Sequence, residues 1–307
     1  MYRKTPVILI SLAFAVSFAK AADVTPAGAK LSAAEIADKN VAARGGLQAW
    51  RAVQTMSLAG QLGAGGNQRA TLQVPAPPNV SLNASASPKA MPQAIPGTKR
   101  PVEEVQLPFL MELARPRKMR FELQFNGDTA IQVFDGANGW KLRPFLGRRV
   151  VEPYTPDEMK TTATQAELDG PLVDYAAKGT RVDLDGMEKV EDRDTYKLKL
   201  TLKNGSVVHV WIDAQTFLET KIEGQPRLLD GTDHPVEVYF RDYRTVSGLQ
   251  IPYVLETKVL PVARTAQGFR DPPVPVERAV IDKVVVNPKL DDSIFSKPEV
   301  GIASNAR

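Results

Sequence analysis

From residue 196 to 203 apolar and polar side chains alternate one by one: Tyr196, Leu198, Leu200 and Leu202 against Lys197, Lys199, Thr201 and Lys203. A period of two is the mark of a strand. Asn204-Gly205 offers the two left-handed positions of a tight type I′ turn. A second strand then runs over 207–212 and, past Asp213-Ala214-Gln215-Thr216, a third over 217–223, a three-stranded meander. With Asn204 and Gly205 as the whole loop, Leu202 faces Val207, Leu200 faces His209 and Leu198 faces Trp211. Val208, Val210 and Ile212 then point the other way, beside Thr201, Lys199 and Lys197. Both faces of the middle strand would be apolar, whereas a one-sided antiparallel sheet is polar on its outer face. Either each face is covered, if only by lysine stems, or one is a greasy surface awaiting a partner.

The same pattern predicts the remaining elements. A helix over 31–46 opens on Ser32, whose capping box closes on Glu35 while Leu31 staples onto Ile36, and ends at Gly45-Gly46. Its apolar stripe of Ile36, Ala37 and Val41 is thin, so it lies on the surface of something larger. A short turn over 47–53 carries Trp50, read as a core anchor. Strands follow at 55–62, 102–113, 118–125, 129–134 and 139–145, punctuated at Arg115-Pro116, Asn126-Gly127 and Asp135-Gly136. Met119, Phe121, Leu123 and Phe125 share one face, against Arg120, Glu122 and Gln124. The proline-, glycine- and alanine-rich stretch 63–101 cannot order itself by burial and reads as an excursion on the sheet's rim, or as a flap over a ligand site.

Thr155-Pro156-Asp157-Glu158 is a capping box with proline in the first turn, starting a helix that runs toward Leu168. Gly170-Pro171 breaks it, and 171–177 continues as a short amphipathic piece. The helix is polar from Lys160 to Gln165, hence weakly anchored and free to move. Strands at 181–191, 236–246, 249–260 (across Ser247-Gly248) and 276–286 complete the set, and the tail 291–307 pins itself with Ile294 and Phe295. About eleven strands joined mainly to their neighbours make one continuous antiparallel sheet that must curl. The fold class expected is mainly β (α+β): a single highly curved antiparallel sheet forming an incomplete barrel, with helices packed on its concave side.

Composition changes this picture at the N-terminus. Arg3 and Lys4, an apolar run over 6–18 and the small-residue site Ala19-Lys20-Ala21 read as an export signal over 1–21. The expected mature protein is soluble, a single domain over 22–307. The formal charge of +4 is largely that signal's. Arg3, Lys4 and Lys20 are three of the 39 basic residues and no acidic residue accompanies them, which leaves 36 basic against 35 acidic. Near-neutrality removes the charge argument for nucleic acid and for an anionic membrane surface.

Candidate chemistry is sparse. The chain has no cysteine, so thiol nucleophiles, thiolate metal sites and disulfides are excluded. His209 and His234 lack the neighbours of a zinc motif. No G-x-S-x-G elbow occurs, and Gly63-Ala64-Gly65-Gly66 lacks the strand and helix context of a nucleotide-binding loop. Glu103-Glu104, Asp183 with Asp185, and Asp291-Asp292 are adjacent or turn carboxylates. The expectation is a protein that is not an enzyme, without catalytic residues, metal or cofactor.

Several local motifs carry a family likeness. Val133-Phe134-Asp135-Gly136 with Gly139-Trp140 and Pro144, the run Leu168-Asp169-Gly170-Pro171-Leu172-Val173-Asp174-Tyr175, Tyr196-Lys197-Leu198, Asp213-Ala214, and Asp242-Tyr243 through Gly248 to Ile251-Pro252 resemble periplasmic outer-membrane lipoprotein-sorting proteins of the LolA/LolB-type carrier superfamily. The likeness runs from about Lys39 to Phe295, omitting the excursion, which with the greater length sets this chain apart from the small carriers. The resemblance implies a periplasmic carrier whose helices close the mouth of a curved half-barrel around an apolar cavity for acyl chains. Its partners would be a lipid or acylated protein and a transient membrane-protein donor or acceptor, with no nucleic acid. On that reading Phe121, Leu123, Phe125, Trp140, Leu198, Leu200, Trp211, Phe240 and Tyr253 line the cavity. Met159, Leu172 and Tyr175 belong to the lid, and Asp135-Gly136 and Gly170-Pro171 serve as backbone devices. The alternative is a periplasmic regulatory or scaffolding module that holds a protein partner through the excursion and the strand edges.

Overall fold

A computed structural model describes residues 31–65, 104–144, 148–229, 232–262 and 275–299. The expected export signal over 1–21 and most of the 63–101 excursion lie outside the described residues.

The first strand lies in the middle of the sheet. β1 (Thr55–Gly65), β2 (Glu104–Ala114), β3 (Lys118–Phe125), β4 (Asp128–Phe134), β5 (Gly139–Arg143) and β6 (Arg148–Pro153) step outward to one edge. β7 (Arg181–Val190) starts at the opposite edge, and β8 (Arg193–Thr201), β9 (Val207–Asp213), β10 (Glu219–Leu229), β11 (Thr232–Val246), β12 (Leu249–Val259) and β13 (Glu277–Val286) step back until β13 pairs with β1. All thirteen strands form one antiparallel sheet. Its edges, β6 and β7, do not pair, so the barrel is open. The mainly β, curved half-barrel expected from the pattern is the fold observed. The additional pairing includes β6, whose Arg-Arg-Val-Val-Glu-Pro sequence has too short an apolar run to announce itself.

The helices are α1 (Ala33–Ala43), α2 (Leu47–Ala52) and α3 (Pro156–Gln165). Both predicted capping boxes are formed: Ser32 accepts from the Glu35 amide and Thr155 from the Glu158 amide, and each glutamate returns a bond to the cap backbone. Residues 171–177, expected to be an amphipathic helical piece, are instead consecutive turns, closed by bonds from Lys178 N to Asp174 O (3.0 Å) and from Thr180 N to Tyr175 O (2.9 Å). α3 ends at Gln165, short of the Leu168 expected, and Gly170 and Asp174, both at positive φ, keep the residues after it from resuming a helix.

The β8–β9 hairpin corrects the predicted register. Asn126-Gly127 and Ser247-Gly248 are two-residue loops with positive φ at both positions. At Asn204-Gly205 only Gly205 is left-handed, and the Asn204 side chain accepts from Ser206 N at 3.0 Å. Leu202 N bonds Ser206 O, so the loop has three residues, Lys203, Asn204 and Gly205, the geometry of a turn closed by a glycine bulge. Every partner slips by one. Leu198 pairs with Val210, Leu200 with Val208, Lys197 with Trp211 and Lys199 with His209. A one-residue slip exchanges the faces, and here it unites Leu198, Leu200, Val208, Val210 and Ile212 on one side. Leu198 therefore does not face Trp211.

Candidate functional site

The helices cover only one end of the sheet's inner face. The central core joins Val41, Trp50 and Val53 of the α1–α2 segment and Ala166, Leu168 and Val173 of the 154–180 connection to Met56, Leu113, Met119 and Phe134 on the strands, with Leu249, Ile251 and Tyr253 from β12. Met56, Leu113 and Met119 are at most 6% exposed. Moving along the same strands away from the helices, side chains of the same face open to solvent. Leu58 and Leu62 on β1, Met111, Phe109 and Leu107 on β2, and Phe121, Leu123 and Phe125 on β3 are all only partly buried. Phe109 and Phe121 stack with centroids 5.9 Å apart. A Cβ on Gly60 would collide with the Val280 carbonyl and press on Phe109. The glycine thus lets β13 swing close and the trough curl. The result is an apolar trough, dry at the helical end and wet beyond it.

Seven predicted cavity residues lie on this inner face: Phe121, Leu123 and Phe125 in the open part, Tyr253 in the closed part, Phe240 opposite Leu255, and Leu198 and Leu200, which are completely buried. Met159 packs on the core from α3, Leu172 is buried in the turns and Tyr175 is half-buried there. Trp140 and Trp211 are placed on the opposite face, a correction in both cases. Trp140 pairs with Val133, out of phase with Phe134, and packs with Ile294 around Phe295 on the outside. Trp211 follows Lys197 outward, where Lys221 Nζ sits 3.8 Å and Lys197 Nζ 5.4 Å from its ring. Lysine side chains do lie on that face, but over Trp211 rather than over Val208, Val210 and Ile212, which the register places with Leu198 and Leu200.

The cap is anchored by charges for which periodicity carries no signal. Asp169, 1% exposed, accepts from Arg115 Nη2 at 2.8 Å and Lys178 Nζ at 2.5 Å, and Lys178 also meets Glu167 at 2.9 Å. Arg44, at the end of α1, donates to Asp169 O (2.9 Å) and Glu219 Oε1 (3.2 Å) and lies 4.4 Å from the Trp50 ring. Tyr243 donates to Glu219 Oε2 at 3.2 Å, and burial together with that carboxylate pushes its hydroxyl well above the usual range. Gly170 at positive φ passes beneath Arg44, the backbone role its motif suggests. α3 is held differently, by Lys141 Nζ on both Glu158 oxygens (2.5 and 2.6 Å). Burial alone would raise the Glu158 carboxyl, but the bonds from Lys141 and the Thr155 amide outweigh it and leave it lowered. The buried ion pairs thus lie beneath the turns of 167–178, while α3 itself is tied to the sheet through Glu158 and packs Met159 and Ala163 on the core.

At the far end of the trough the sheet splits. The β2–β3 ladder runs from Ala114 paired with Lys118 to Phe109 paired with Leu123, and stops there. Past that point β2 stays with β1 down to Glu104 opposite Gly65, while β3 stays with β4 through Phe125 opposite Asp128. Pro108, the next residue of β2, has no N–H to offer β3. A cleft of about 750 Å³ lies between the two tips, with Val105, Leu107 and Phe125 on its trough side and Gln106, Gln124, Asn126, Asp128 and Thr129 around it.

Among the described residues no cluster of His, Asp or Glu is arranged to hold a metal, and no helix is long and apolar enough to cross a membrane.

Comparison with known protein families and with curated proteins finds no match. Among solved structures the chain is similar to a LolA superfamily protein from Nitrosomonas europaea (12% identity, 87% of this chain and 99% of that one covered, TM-score 0.49). It is also similar to a proposed outer membrane lipoprotein-sorting protein domain from Vibrio parahaemolyticus (13%, 86% and 96%, 0.47) and to a DUF1329 family protein from Desulfovibrio piger (12%, 85% and 95%, 0.47). These are likenesses of chain path at low identity, and the functional reading rests on this chain's own geometry.

Proposed function

We propose that this protein is a non-catalytic periplasmic carrier or binding protein for a hydrophobic lipidic ligand, whose acyl chain lies in the uncovered part of the trough. The supporting observation is the run of partly exposed apolar side chains, Leu58, Leu62, Phe109, Met111, Phe121 and Leu123, continuous with the buried core. A contiguous apolar surface beside a core marks a place where something else is buried. Each methylene removed from water contributes about 0.8 kcal/mol, so a chain of a dozen carbons binds with few polar contacts. The ligand would pass between a membrane-protein donor and acceptor, and the export signal read over 1–21 supports the compartment. Native mass spectrometry of protein taken from the cell envelope, with uptake of N-phenylnaphthylamine as the solution assay, tests the reading. Lipid-mass adducts and uptake lost in Phe121→Asp but kept in Trp211→Leu are expected. Protein uniformly free of adducts that takes up no probe would refute it.

A further inference from the structure

The inner face is apolar along β1, β2 and β3 and changes character just beyond them. In the row that carries Leu58, Met111 and Phe121, the next strand presents Gln132 and the strand after it Lys141. Residues paired across a ladder share a face, so from Phe121 the surface passes from hydrocarbon to amide to ammonium within two strand spacings, roughly 10 Å. Gln132 is exposed there and Phe121 only partly buried beside it, so this margin adjoins the uncovered part of the trough. Arg143, two residues further along β5, lies on the same face and nearer the open end.

Both cations are held by one acid of α3. Lys141, 8% exposed, donates from Nζ to both Glu158 oxygens (2.5 and 2.6 Å), which meets that carboxylate's need for a partner. Arg143, with its side chain 35% exposed, reaches Glu158 Oε1 from Nη2 at 3.3 Å. A guanidinium carries five N–H donors in a rigid fork, and among the described contacts this one spends a single donor on a long bond. Across the β5–β6 ladder Glu152 stands opposite Lys141 and Arg148 opposite Arg143. Like charges at facing positions disfavour a ladder, and an anion bound at that end of β5 offsets the cost.

We infer that this margin receives the anionic head, carboxylate or phosphate, of the acyl ligand. Arg143 pairs with the head, the Gln132 amide donates a second bond, and Glu158 with Lys141 keeps the guanidinium in place, while the tail crosses β3, β2 and β1 over Phe121, Met111 and Leu58. A charged fork beside an apolar floor matches an amphiphile whose head is an oxyanion. The inference rests on the carrier reading above, whose ligand it narrows, and fails separately from it.

The test displaces N-phenylnaphthylamine from the full chain with palmitate, palmitoyl lysophosphatidic acid or monopalmitoylglycerol, three ligands with one tail and different heads. At least one anionic head is expected to bind about tenfold or more tightly than the glycerol, and which of them does so tells a carboxylate from a phosphate. Arg143→Gln should cut that ratio to about threefold or less. Gln132→Glu, at an exposed position, should do the same by setting a carboxylate beside the head, and serves should the first variant not fold. Arg181→Gln removes an exposed cation from β7, at the opposite edge of the sheet, and should leave the ratio unchanged. Equal affinity for charged and neutral heads in the wild-type chain, a ratio kept in either folded variant of the margin, or one that falls as far in Arg181→Gln would each overturn the inference. Failure of the wild-type chain to take up any probe would instead remove the carrier reading beneath it.

Discussion

Asp169→Asn removes one negative charge from the most buried ionic site in the cap while keeping its shape. The carboxylate side chain is 2% exposed and accepts at 2.8 Å from Arg115 and 2.5 Å from Lys178. Charge-assisted hydrogen bonds contribute about 1.5–3 kcal/mol each, and stripping one partner from a buried pair costs about 3–5 kcal/mol. Three features reduce that here. Lys178 keeps Glu167 and the Gly170 carbonyl, Arg115 keeps the Trp50 and Val53 carbonyls, and Arg115 is 29% exposed, so water takes part of its load. The expected loss is about 2–4 kcal/mol. In a domain of this size that lowers Tm by roughly 4–16 °C at about 2–4 °C per kcal/mol. Urea and thermal unfolding followed by circular dichroism measure it, with an unchanged m-value showing that the fold persists. Adding Lys178→Met should cost less than the sum of the single losses, because the second change removes a charge the first left unpaired. A loss below about 0.5 kcal/mol would refute the claim that this cluster fixes the cap to the sheet.

Three further outcomes are open to measurement. Gly205→Ala places a Cβ in open space at φ +84°, so its cost is conformational, about 1 kcal/mol by urea titration; no change would mean the loop relaxes to another turn. Gly60→Val forces a side chain into the β13 backbone and should destabilise by more than about 3 kcal/mol, or yield no soluble protein; near-wild-type melting would contradict the close approach of β1 and β13. For acid, Glu158 and Asp213 both titrate below their ordinary values of 4.5 and 3.8. In each, burial opposes the charged form and is outweighed, by Lys141 and the Thr155 amide for Glu158 and by the Thr216 and Gln215 amides for Asp213. Carboxyls lowered by folding stabilise above their unfolded pKa and lose that contribution as pH falls through the folded value. Melting temperature should therefore hold from pH 7 to about 5 and fall below about 4.5, with a shallower fall in Glu158→Gln.

Local pattern made most of the sheet legible. Met119 to Phe125 alternates cleanly, and Asn126-Gly127 and Ser247-Gly248 close the two-residue turns their residues permit. The same rule failed at Asn204-Gly205, because an asparagine that can bond its own backbone two residues on has a second way to turn. What decided between the ways was not local: the slip brings Leu198 and Leu200 onto the same face as Val210 and Ile212, all fully buried. Misplacing Trp211 followed directly from that slip. Trp140 was misplaced for another reason, since β5 is five residues long and its outer neighbour, Phe295, comes from the far end of the chain. Asp169, in a turn between Leu168 and Gly170, offers no periodicity at all; its burial depends on Arg115, 54 residues earlier, and no spacing rule reaches that far.

The half-open trough follows from where β1 sits in the strand order. With β1 in the middle of the sheet and β6 and β7 at opposite edges, residues 154–180 must cross the whole inner face to reach β7, and the helical material is obliged to lie there. A strand of eleven residues such as β1 is about 36 Å long, whereas a helix laid across it is about 10 Å wide. One crossing segment, with α1 and α2 beside it, does not reach the far end of strands of that length. The burial gradient from Met56 to Leu62 records the boundary. An open sheet with apolar surface beyond its helices is thus the product of this strand order, and Phe109, Phe121 and Leu123 are the residues on which a ligand would have to act.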